Sequence, residues 1–544
     1  MKEAGWQCIE RAEGAVWFVG YLYDNDRDLS REQIGAMLAA LPSEPSALRD
    51  ALAGIDGQFA AVVVRQDVTI AVVDHIASYP LLLDVADGII TIADCAQSLG
   101  SQGRIAPADL NRDAATVFAM SGFTIGTATL RRTTSWLPAG GFAVVDRNGI
   151  RTGNHYVYAA WEMPAAPQAE LEGALEALLG RMFERTIRAL DGRTVLLPLS
   201  AGQDSRLIAA GLWKLGYKNV KCFSYGQPGN FEADAARQIA ARLNYSWTFV
   251  PYGHRMQRTD VGHGGHAQYR QFSDTLAAVP FEQDYFALEE LKRRGLMTED
   301  AVLINGQSGD FITGNHIPAA LGPDAADGAG DNWDTIIDAL IAKHHSLWET
   351  LATPENLQVV RAATMASLRA IGAPQRPGRE AYGLYEFIEY GDRQSKYVVG
   401  GQRAYDFFGL AWRLPLWERP FVEFWRTVPL EAKYQQRLYR QTLARLNWGN
   451  VWSGIDDRRT IAPSWIKPLR VGLKLVAAPL GQRRWHDIER RYLAYWMDIV
   501  CNYSSMPYRR VAFDRRGFRN AISWVNESYL ARHGLDWTGK PEIQ

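Results

Sequence analysis

The chain has 544 residues, with 59 Lys and Arg side chains against 60 Asp and Glu, and a formal net charge of −1. This balance gives the whole chain no electrostatic field that would recruit nucleic acid or an anionic membrane, so we expect a small-molecule partner. The length exceeds that of one hydrophobic core. We therefore expect two or three domains with a large buried interior.

Cysteine usage and apolar runs bear on the compartment of the protein. The cysteines lie far apart with no C-x-x-C pair, which argues against a disulfide framework or a thiolate metal site and favours a reducing cytoplasm. They are Cys8, Cys95, Cys222 and Cys501. Residues 1–14 lack the apolar run of a signal peptide, and no segment reaches the roughly 18 uncharged apolar residues that a membrane span needs. We expect a soluble, cytoplasmic protein.

Residues 15–158 are dominated by short β-branched and aromatic runs separated by turn residues, which predict one sheet-rich domain. The clearest runs span residues 16–23, 58–64, 68–73, 88–92 and 141–145. Residues 161–168 include Pro164 and Pro167 and are typical of a linker. We therefore place a domain boundary near residue 165, between a first domain at residues 1–165 and a second at residues 166–544.

Residues 169–251 alternate between helical and strand patterns. A helix is predicted at residues 169–190, where Leu171, Leu175 and Leu178 recur at helical spacing. Strands at 194–199, 220–225 and 247–251 alternate with helices at 204–215 and 232–243. This alternation is typical of a doubly wound parallel sheet, so we expect an α/β fold here and an α+β chain overall. Beyond residue 330 the pattern is mainly helical.

The turn that joins the strand at 194–199 to the next helix reads S-A-G-Q-D-S, at residues 200–205. Small residues let backbone N–H groups converge, and the helix N-terminus adds free amides and its dipole, so the turn predicts a phosphate site. Asp204 would repel phosphate unless a divalent cation stood between them, which indicates Mg²⁺. The alternative is an ordinary strand-to-helix turn rich in small residues.

The pattern S-[GA]-G-x-D-S resembles the pyrophosphate loop of ATP pyrophosphatases, which split ATP between its α- and β-phosphates, and the chain has no Walker loop. Further segments are G-Q-F-A at 57–60, D-H-I-A-S-Y-P-L-L at 74–82, N-G-Q-S-G-D at 305–310 and W-R-L-P-L-W-E-R-P-F-V-E-F at 412–424. Their order is similar to that of the asparagine synthetase family. The resemblance implies a class II glutamine amidotransferase domain followed by an adenylating synthetase domain.

The resemblance also implies an ATP and Mg²⁺ site in the second domain. Its loop supplies the pyrophosphate-binding residues Ser200, Ala201, Gly202, Asp204 and Ser205. Leu199, Ser224 and Gly306 would border the adenosine, while Asp204 and Asp310 would share Mg²⁺. The alternative for Asp310 is that it caps its own loop. A substrate carboxylate would attack ATP to form an acyl-adenylate, which an amine then captures.

One departure from the family concerns the first domain. The family's glutaminase uses a cysteine directly after the initiator methionine, whose α-amine serves as the base, and Lys2 holds that place here. Cys8 cannot replace it because an internal cysteine has an amide nitrogen. We therefore expect no glutamine hydrolysis, and this degenerate first domain resembles those of β-lactam synthetases and lasso-peptide cyclases, whose amine belongs to the substrate. Free ammonia is the other nitrogen source.

A second departure concerns the catalytic residues. Gln307 stands where the family has a glutamate, and a neutral amide orients a substrate but cannot accept a proton, so the general base is unassigned. The family's late basic segment is most closely matched at residues 457–463. Arg459 would stabilise the adenylated intermediate, with Lys467 as its rival and a plain surface charge as the alternative.

Three functions remain open at this stage. The first is an ATP-dependent amide-forming ligase that takes a small-molecule or peptide carboxylate and an amine or ammonia, with a homodimer allowed for. The second is an inactive binding or scaffold protein, and the third is a tRNA-modifying enzyme, against which the neutral charge argues. The basic and apolar run at residues 467–485 is interpreted as a solvated helix with one buried face, the alternative being a helix on a membrane surface.

Overall fold

Three sheets form the strand layers of the protein. The computed structural model describes residues 5–11, 14–24, 27–100, 104–162, 170–325, 332–378, 381–456 and 458–535. Its strands are β1 (Gln7–Arg11), β2 (Gly14–Asp24), β3 (Arg27–Asp28), β4 (Asp56–Arg65), β5 (Val68–Val73), β6 (Leu82–Ala86), β7 (Ile89–Ala93), β8 (Thr134–Trp136), β9 (Gly141–Asp146), β10 (Gly149–Asn154), β11 (Val195–Pro198), β12 (Val220–Gly226), β13 (Ser246–Pro251), β14 (Val302–Ile304) and β15 (Ala411–Arg413).

Helices surround these sheets and dominate the C-terminal part. They are α1 (Arg31–Ala39), α2 (Pro45–Ala53), α3 (Arg112–Ser121), α4 (Leu171–Leu190), α5 (Gln203–Lys214), α6 (Phe231–Arg242), α7 (His254–Asp260), α8 (Gly264–Phe272), α9 (Tyr285–Arg293), α10 (Gly309–Ile312), α11 (Trp333–His344), α12 (Pro354–Ala370), α13 (Ala381–Glu389), α14 (Arg403–Phe407), α15 (Arg419–Thr427), α16 (Leu430–Lys433), α17 (Arg437–Leu446), α18 (Ile466–Ala477), α19 (Gln482–Ile488), α20 (Ala494–Met497), α21 (Tyr508–Phe513) and α22 (Ala521–Arg532). A π-helical stretch, Tyr390–Val398, directly follows α13.

The N-terminal strands build an antiparallel sheet in the order β1-β2-β4-β5-β9-β10, with β3 paired to β2. A second antiparallel sheet has the order β7-β6-β8. The apolar residues of α1 and α2 pack on one face of the first sheet, where Leu38 and Leu48 join Phe18 and Phe59 in a buried cluster. The sheet-rich N-terminal part that the sequence predicts is confirmed.

The central sheet is fully parallel and has the order β13-β12-β11-β14-β15. The chain moves outward from β11 to β13 and then returns to the other side of β11 with β14. The strand order therefore reverses between β11 and β14, which is where ligands collect in open α/β sheets. The predicted doubly wound sheet is confirmed, together with the overall α/β class.

Buried polar contacts join the antiparallel sheet to the segment that follows β15. The amide of Gln58 donates to the carbonyl of Leu414 at 3.1 Å, and a ring nitrogen of His75 lies 2.7 Å from the carbonyl of Trp417. Apolar residues of both layers belong to one buried cluster. The expected boundary near residue 165 falls among residues 163–169, outside the described residues, and stays a proposal.

The run at residues 467–485 forms α18, a short 3₁₀ turn and the start of α19. Ile466 and Ala477 of α18 are buried and Leu473 packs against their cluster, while most other apolar side chains of this helix face solvent. The interpretation as a solvated helix with one buried face therefore agrees with the structure, which adds that a second side of the helix is apolar and exposed. No helix in the described ranges is long and apolar enough to cross a membrane.

His345 gives the fold a pH dependence. Its side chain is buried at the end of α11 near Phe123, and burial lowers the pKa of the imidazole to about 3. At a pH below the ordinary pKa near 6.5, the imidazole is protonated in the unfolded chain but stays neutral in the folded protein. The free energy of unfolding therefore decreases as pH falls. The free energy of unfolding, measured with urea, should fall between pH 7 and pH 5 by about 2 kcal/mol less in His345→Gln than in the unmodified protein. An unchanged pH dependence would contradict this.

Candidate active site

Two turns meet at the point where the strand order of the parallel sheet reverses. Residues 200–205 follow β11 and residues 305–310 follow β14, so both turns lie at the carboxyl edge of the sheet. The turns touch through their backbones, since a Cβ added to Gly306 would lie 2.7 Å from the carbonyl carbon of Asp204. Glycine is therefore needed for this close approach.

The turn after β11 is held by its own serines. The Ser200 amide donates to Ser205 Oγ at 3.1 Å, and Ser200 Oγ accepts from the Gly202 amide at the same distance. Gly202 is the N-cap of α5, and no side chain of the described residues caps that helix. The next amides of α5 are consequently free for an anion, as predicted for this turn.

Asp204 and Asp310 are brought together by these turns. Asp204 Oδ2 accepts from the Asp310 amide at 2.9 Å, and Asp204 Oδ1 accepts from the Tyr439 hydroxyl at 3.0 Å. Burial and the neighbouring Asp310 raise the pKa of Asp204 to about 8. Two ionised carboxylates close together in a buried site raise the free energy of the folded protein unless a cation lies beside them.

This carboxylate pair fits Mg²⁺. Both side chains offer hard oxygen atoms, which Mg²⁺ prefers, and it completes its octahedral shell with waters and phosphate oxygens. Within the described part of the chain, no group of three or more His, Cys, Asp or Glu side chains could hold a metal alone. Two carboxylates beside an anion turn are the arrangement that a metal–phosphate site uses.

His316, which no sequence motif indicated, lies beside the acidic pair of Asp204 and Asp310. His316 Nε2 lies 3.2 Å from Asp310 Oδ2, and His316 Nδ1 contacts the buried Glu389. Burial alone would lower the pKa of His316, but Glu389 and Asp310 raise it to about 9. Burial would raise the pKa of Asp310, but the hydrogen bond from His316 lowers it. The site therefore holds a cationic imidazole beside one carboxylate at neutral pH.

Glu389 is itself surrounded by donors. His344 Nε2 lies 2.9 Å from its carboxylate, and the Gln394 amide donates to it at 3.0 Å. Arg393 lies 3.5 Å from the same carboxylate. These residues come from α11, α13 and the π-helical stretch, and π-helical turns are frequent at functional sites. No motif in the sequence marks them.

A cavity of about 470 Å³ opens in front of both turns. Most of the predicted site residues line it, namely Leu199, Ser200, Gly202, Asp204, Ser205, Ser224, Gly306, Gln307 and Asp310. Its walls also include His316 and Arg393, and the aromatic side chains of Phe223, Tyr225 and Phe281. Ala201 lies in the turn but is not among the lining residues. The sequence thus located nine of the 25 residues that line this cavity.

The predicted catalytic residues occupy different places. The Gln307 amide donates to the Val398 carbonyl at 2.5 Å and accepts from Gln402 at 2.8 Å, so it is fixed on the cavity wall. Arg459 is exposed and close enough to lower the pKa of Glu232, a cavity residue whose pKa burial raises. Lys467 is exposed on α18 and does not line the cavity. Asp457, also part of the matched basic segment, lies outside the described residues.

The fold and the paired turns define an α/β protein with a nucleotide-type site at the switch point of its sheet. The family described as asparagine synthase matches residues 175–447, half of the chain. The chain belongs to this family. No curated protein matches the sequence.

Solved structures show only weak similarity. One is titled the allosteric regulatory enzyme of purine biosynthesis, with 10% identity, 45% of this chain and 62% of that chain covered, and a TM-score of 0.19. Another is glutamine phosphoribosylpyrophosphate amidotransferase from B. subtilis complexed with ADP and GMP, with 7% identity, 64% and 74% covered, and a TM-score of 0.18. The chain spans less than two thirds of the first. TM-scores this low carry no argument about this chain.

Gly309 offers a test of the contact between the two turns. A Cβ at this position would lie 2.5 Å from the Asp204 carboxyl carbon and 2.6 Å from Leu416 Cδ1. We expect Gly309→Ala to push the acidic pair apart and lower pyrophosphate release roughly 10²-fold. In the control Gly173→Ala, at an exposed position of α4, the added Cβ meets nothing within 4 Å, and Ala should stabilise the helix by about 0.5–1 kcal/mol. Full activity of Gly309→Ala would count against the close approach.

Proposed function

We propose that this protein adenylates a substrate carboxylate with ATP, releasing AMP and pyrophosphate, and passes the acyl group to an amine or ammonia without a glutaminase nucleophile of its own. The observation that carries this proposal is the meeting of Asp204 and Asp310 beside the turn at residues 200–205. An anion turn, a carboxylate pair for Mg²⁺ and a cavity lie at one sheet edge, which supports nucleotide activation rather than simple binding.

The chemistry requires activation because a carboxylate has no good leaving group. A substrate carboxylate oxygen attacks the α-phosphate of ATP, the bond between the α- and β-phosphates breaks, and pyrophosphate leaves with its electron pair. Ser200, Gly202 and Ser205 would hold the departing pyrophosphate through the turn and the start of α5. When bound to Asp204 and Asp310, Mg²⁺ would draw off the charge that develops on the leaving oxygen. The amine then attacks the acyl carbon, AMP leaves with the electron pair of the broken acyl–oxygen bond, and the proton released from nitrogen passes to AMP or to solvent.

Positive side chains on the cavity wall support the same reaction. His316 is cationic at neutral pH, and Arg393 is positively charged, and both face the cavity that holds the acidic pair. We propose that they bind phosphate oxygens as charge develops. Arg459 stays a candidate for this role because it lies near the cavity residue Glu232, whereas Lys467 on α18 is less well placed.

The binding position of the adenosine is proposed from the residues that line the cavity. We propose that Leu199, Ser224 and Gly306 border the adenosine.

Cys8 lies inside β1 and pairs with Trp17, so it carries a peptide nitrogen and not a basic amine. We propose that the amine belongs to a substrate or is free ammonia. Because Gln307 cannot accept a proton, either another group acts as the base or the amine arrives uncharged.

The decisive experiment is to separate the nucleotide products. The protein is incubated with ATP, Mg²⁺, pooled small-molecule and peptide carboxylates, and ammonia or amines. We expect AMP and pyrophosphate, with consumption of one carboxylate. ADP and phosphate as products would reject adenylation, and no binding or turnover of the nucleotide would favour an inactive scaffold.

A further inference from the structure

α18 presents an apolar surface to solvent, which is unusual for a helix of a folded domain. Its inner side is anchored, because Ile466 and Ala477 pack with Trp485 and Leu493 in a small buried cluster. On its outer side Leu475 is 72% exposed and Val476 is 78% exposed. The other exposed apolar side chains of this surface are Trp465, Leu469 and Val471. We call these five residues the outer face.

The outer face is continuous along the helix. At about 100° per residue, Trp465, Leu469 and Val476 lie within about 40° of one another, and Leu475 and Val471 lie about 80° and about 120° from Trp465 on one side, so the five residues span an arc of about 160°. Lys467 and Lys474 fall together on one border of this arc. A broad apolar stripe beside lysines, with a tryptophan at one end, is the pattern of helices that lie in a membrane interface.

The segment around α18 is strongly basic although the whole chain is nearly neutral. Residues 458–486 contain no acidic residue, and their basic residues are Arg458, Arg459, Lys467, Arg470, Lys474, Arg483 and Arg484. Two of these charges are paired, because Arg470 contacts Glu489 and Arg458 lies 2.8 Å from Asp456, while Asp487 pairs with Arg490. Among the described contacts, no ion pair engages the remaining basic residues Arg459, Lys467, Lys474, Arg483 and Arg484. The segment therefore keeps a local positive field that the net charge of −1 conceals.

This charge also decides against a second copy of the chain as the occupant. If two outer faces packed in an antiparallel pair, the borders that carry Lys467 and Lys474 would face each other, and like charges at an apolar contact oppose association. An anionic bilayer satisfies both features at once, because acyl chains accept the apolar side chains and lipid headgroups accept the lysines and arginines.

We propose that the outer face of α18 docks this protein on an anionic membrane surface. The helix lies in the plane of the interface and does not cross the bilayer, in keeping with its 12 residues. This docking is independent of the ligase function, because the outer face belongs to residues that do not line the cavity.

Vesicle co-sedimentation of the full chain tests this proposal. We use vesicles of phosphatidylcholine with about one quarter phosphatidylglycerol, and vesicles of phosphatidylcholine alone. We expect partitioning onto the anionic vesicles to be roughly tenfold stronger, and to weaken between about 0.05 M and about 0.5 M salt as charges are screened. No binding of the unmodified protein to anionic vesicles would overturn the proposal.

Matched variants assign the binding to the outer face. Leu475→Asp with Val476→Asp, and separately Lys474→Glu with Arg484→Glu, should each weaken binding roughly tenfold or more. The control Ile89→Asp, at a 67% exposed position on β7, should bind as the unmodified protein does. Thermal midpoints and the ATP-dependent shift of each variant show that it is folded.

Two results would overturn the proposal at this stage. The first is that both double variants still bind anionic vesicles fully. The second is a dimer that Leu475→Asp with Val476→Asp dissociates, seen by sedimentation velocity, without any vesicle binding. That result would make the outer face a contact between two copies of the chain.

Discussion

Asp204→Asn should lower the formation of AMP and pyrophosphate roughly 10²–10³-fold while the protein stays folded. The variant removes one of two carboxylates that would hold Mg²⁺, yet an asparagine oxygen can still accept from the Asp310 amide. Burial and Asp310 already raise the pKa of Asp204, so losing this charge does not leave a buried partner unpaired. The measurement is the rate of pyrophosphate release, with the thermal midpoint as a check on folding.

A matched control is available on the neighbouring helix. Asp234 is exposed in the first turn of α6 and does not line the cavity, so Asp234→Asn makes the same chemical change away from the site. We expect its rate to stay near that of the unmodified protein. An Asp204→Asn rate equal to the control rate would remove the metal assignment and with it the main support for adenylation.

Lys433→Met should cost about 3–5 kcal/mol of stability. Lys433 and Glu386 are both buried, their charged groups lie 2.7 Å apart, and the Tyr158 hydroxyl lies 3.1 Å from the lysine nitrogen. Removing the lysine leaves the Glu386 carboxylate buried without its cation. Burial already raises the pKa of that carboxyl group, so the remaining charge is costly. Urea unfolding at pH 7 measures the loss.

Two further variants separate the lost pair from lost packing. Lys433→Met combined with Glu386→Leu replaces both charges by apolar groups and should recover most of the stability. Arg445→Met breaks exposed ion pairs with Glu172 and Glu176 and should lower the stability far less than Lys433→Met does, because solvent screens these charges. If the double variant were as unstable as Lys433→Met alone, the buried charge would not be the cause.

The sequence predicted the parts of the site that follow long, regular strands. The apolar runs before residues 200 and 226 alternate with amphipathic helices, so parallel strands and the location of the turn at residues 200–205 could be inferred. The hydroxyl and glycine residues of that turn then indicated an anion site, and the cavity lies in front of it. The resemblance to a family added the turn at residues 305–310.

Other features left no local signal in the sequence. β14 and β15 have three residues each, too short for a periodic pattern. His316 reaches Glu389 across 73 positions of sequence, a contact that only the packing of α11 and α13 beside the site creates. The apolar character of the exposed side of α18 was not foreseen for a similar reason, since the period of apolar residues identifies a helix face but not the presence of a neighbour.

The hydrogen bonds from Gln58 and His75 to the segment after β15 tie the N-terminal sheet to the rest of the structure. That sheet forms one wall of the shared apolar interior, and the carbonyls of Leu414 and Trp417 would lose their donors if it were removed. A chain that lacked the N-terminal sheet would therefore expose part of the apolar interior of the remaining layers to water. The sheet is thus a structural support for the rest of the protein, whatever chemistry either part performs.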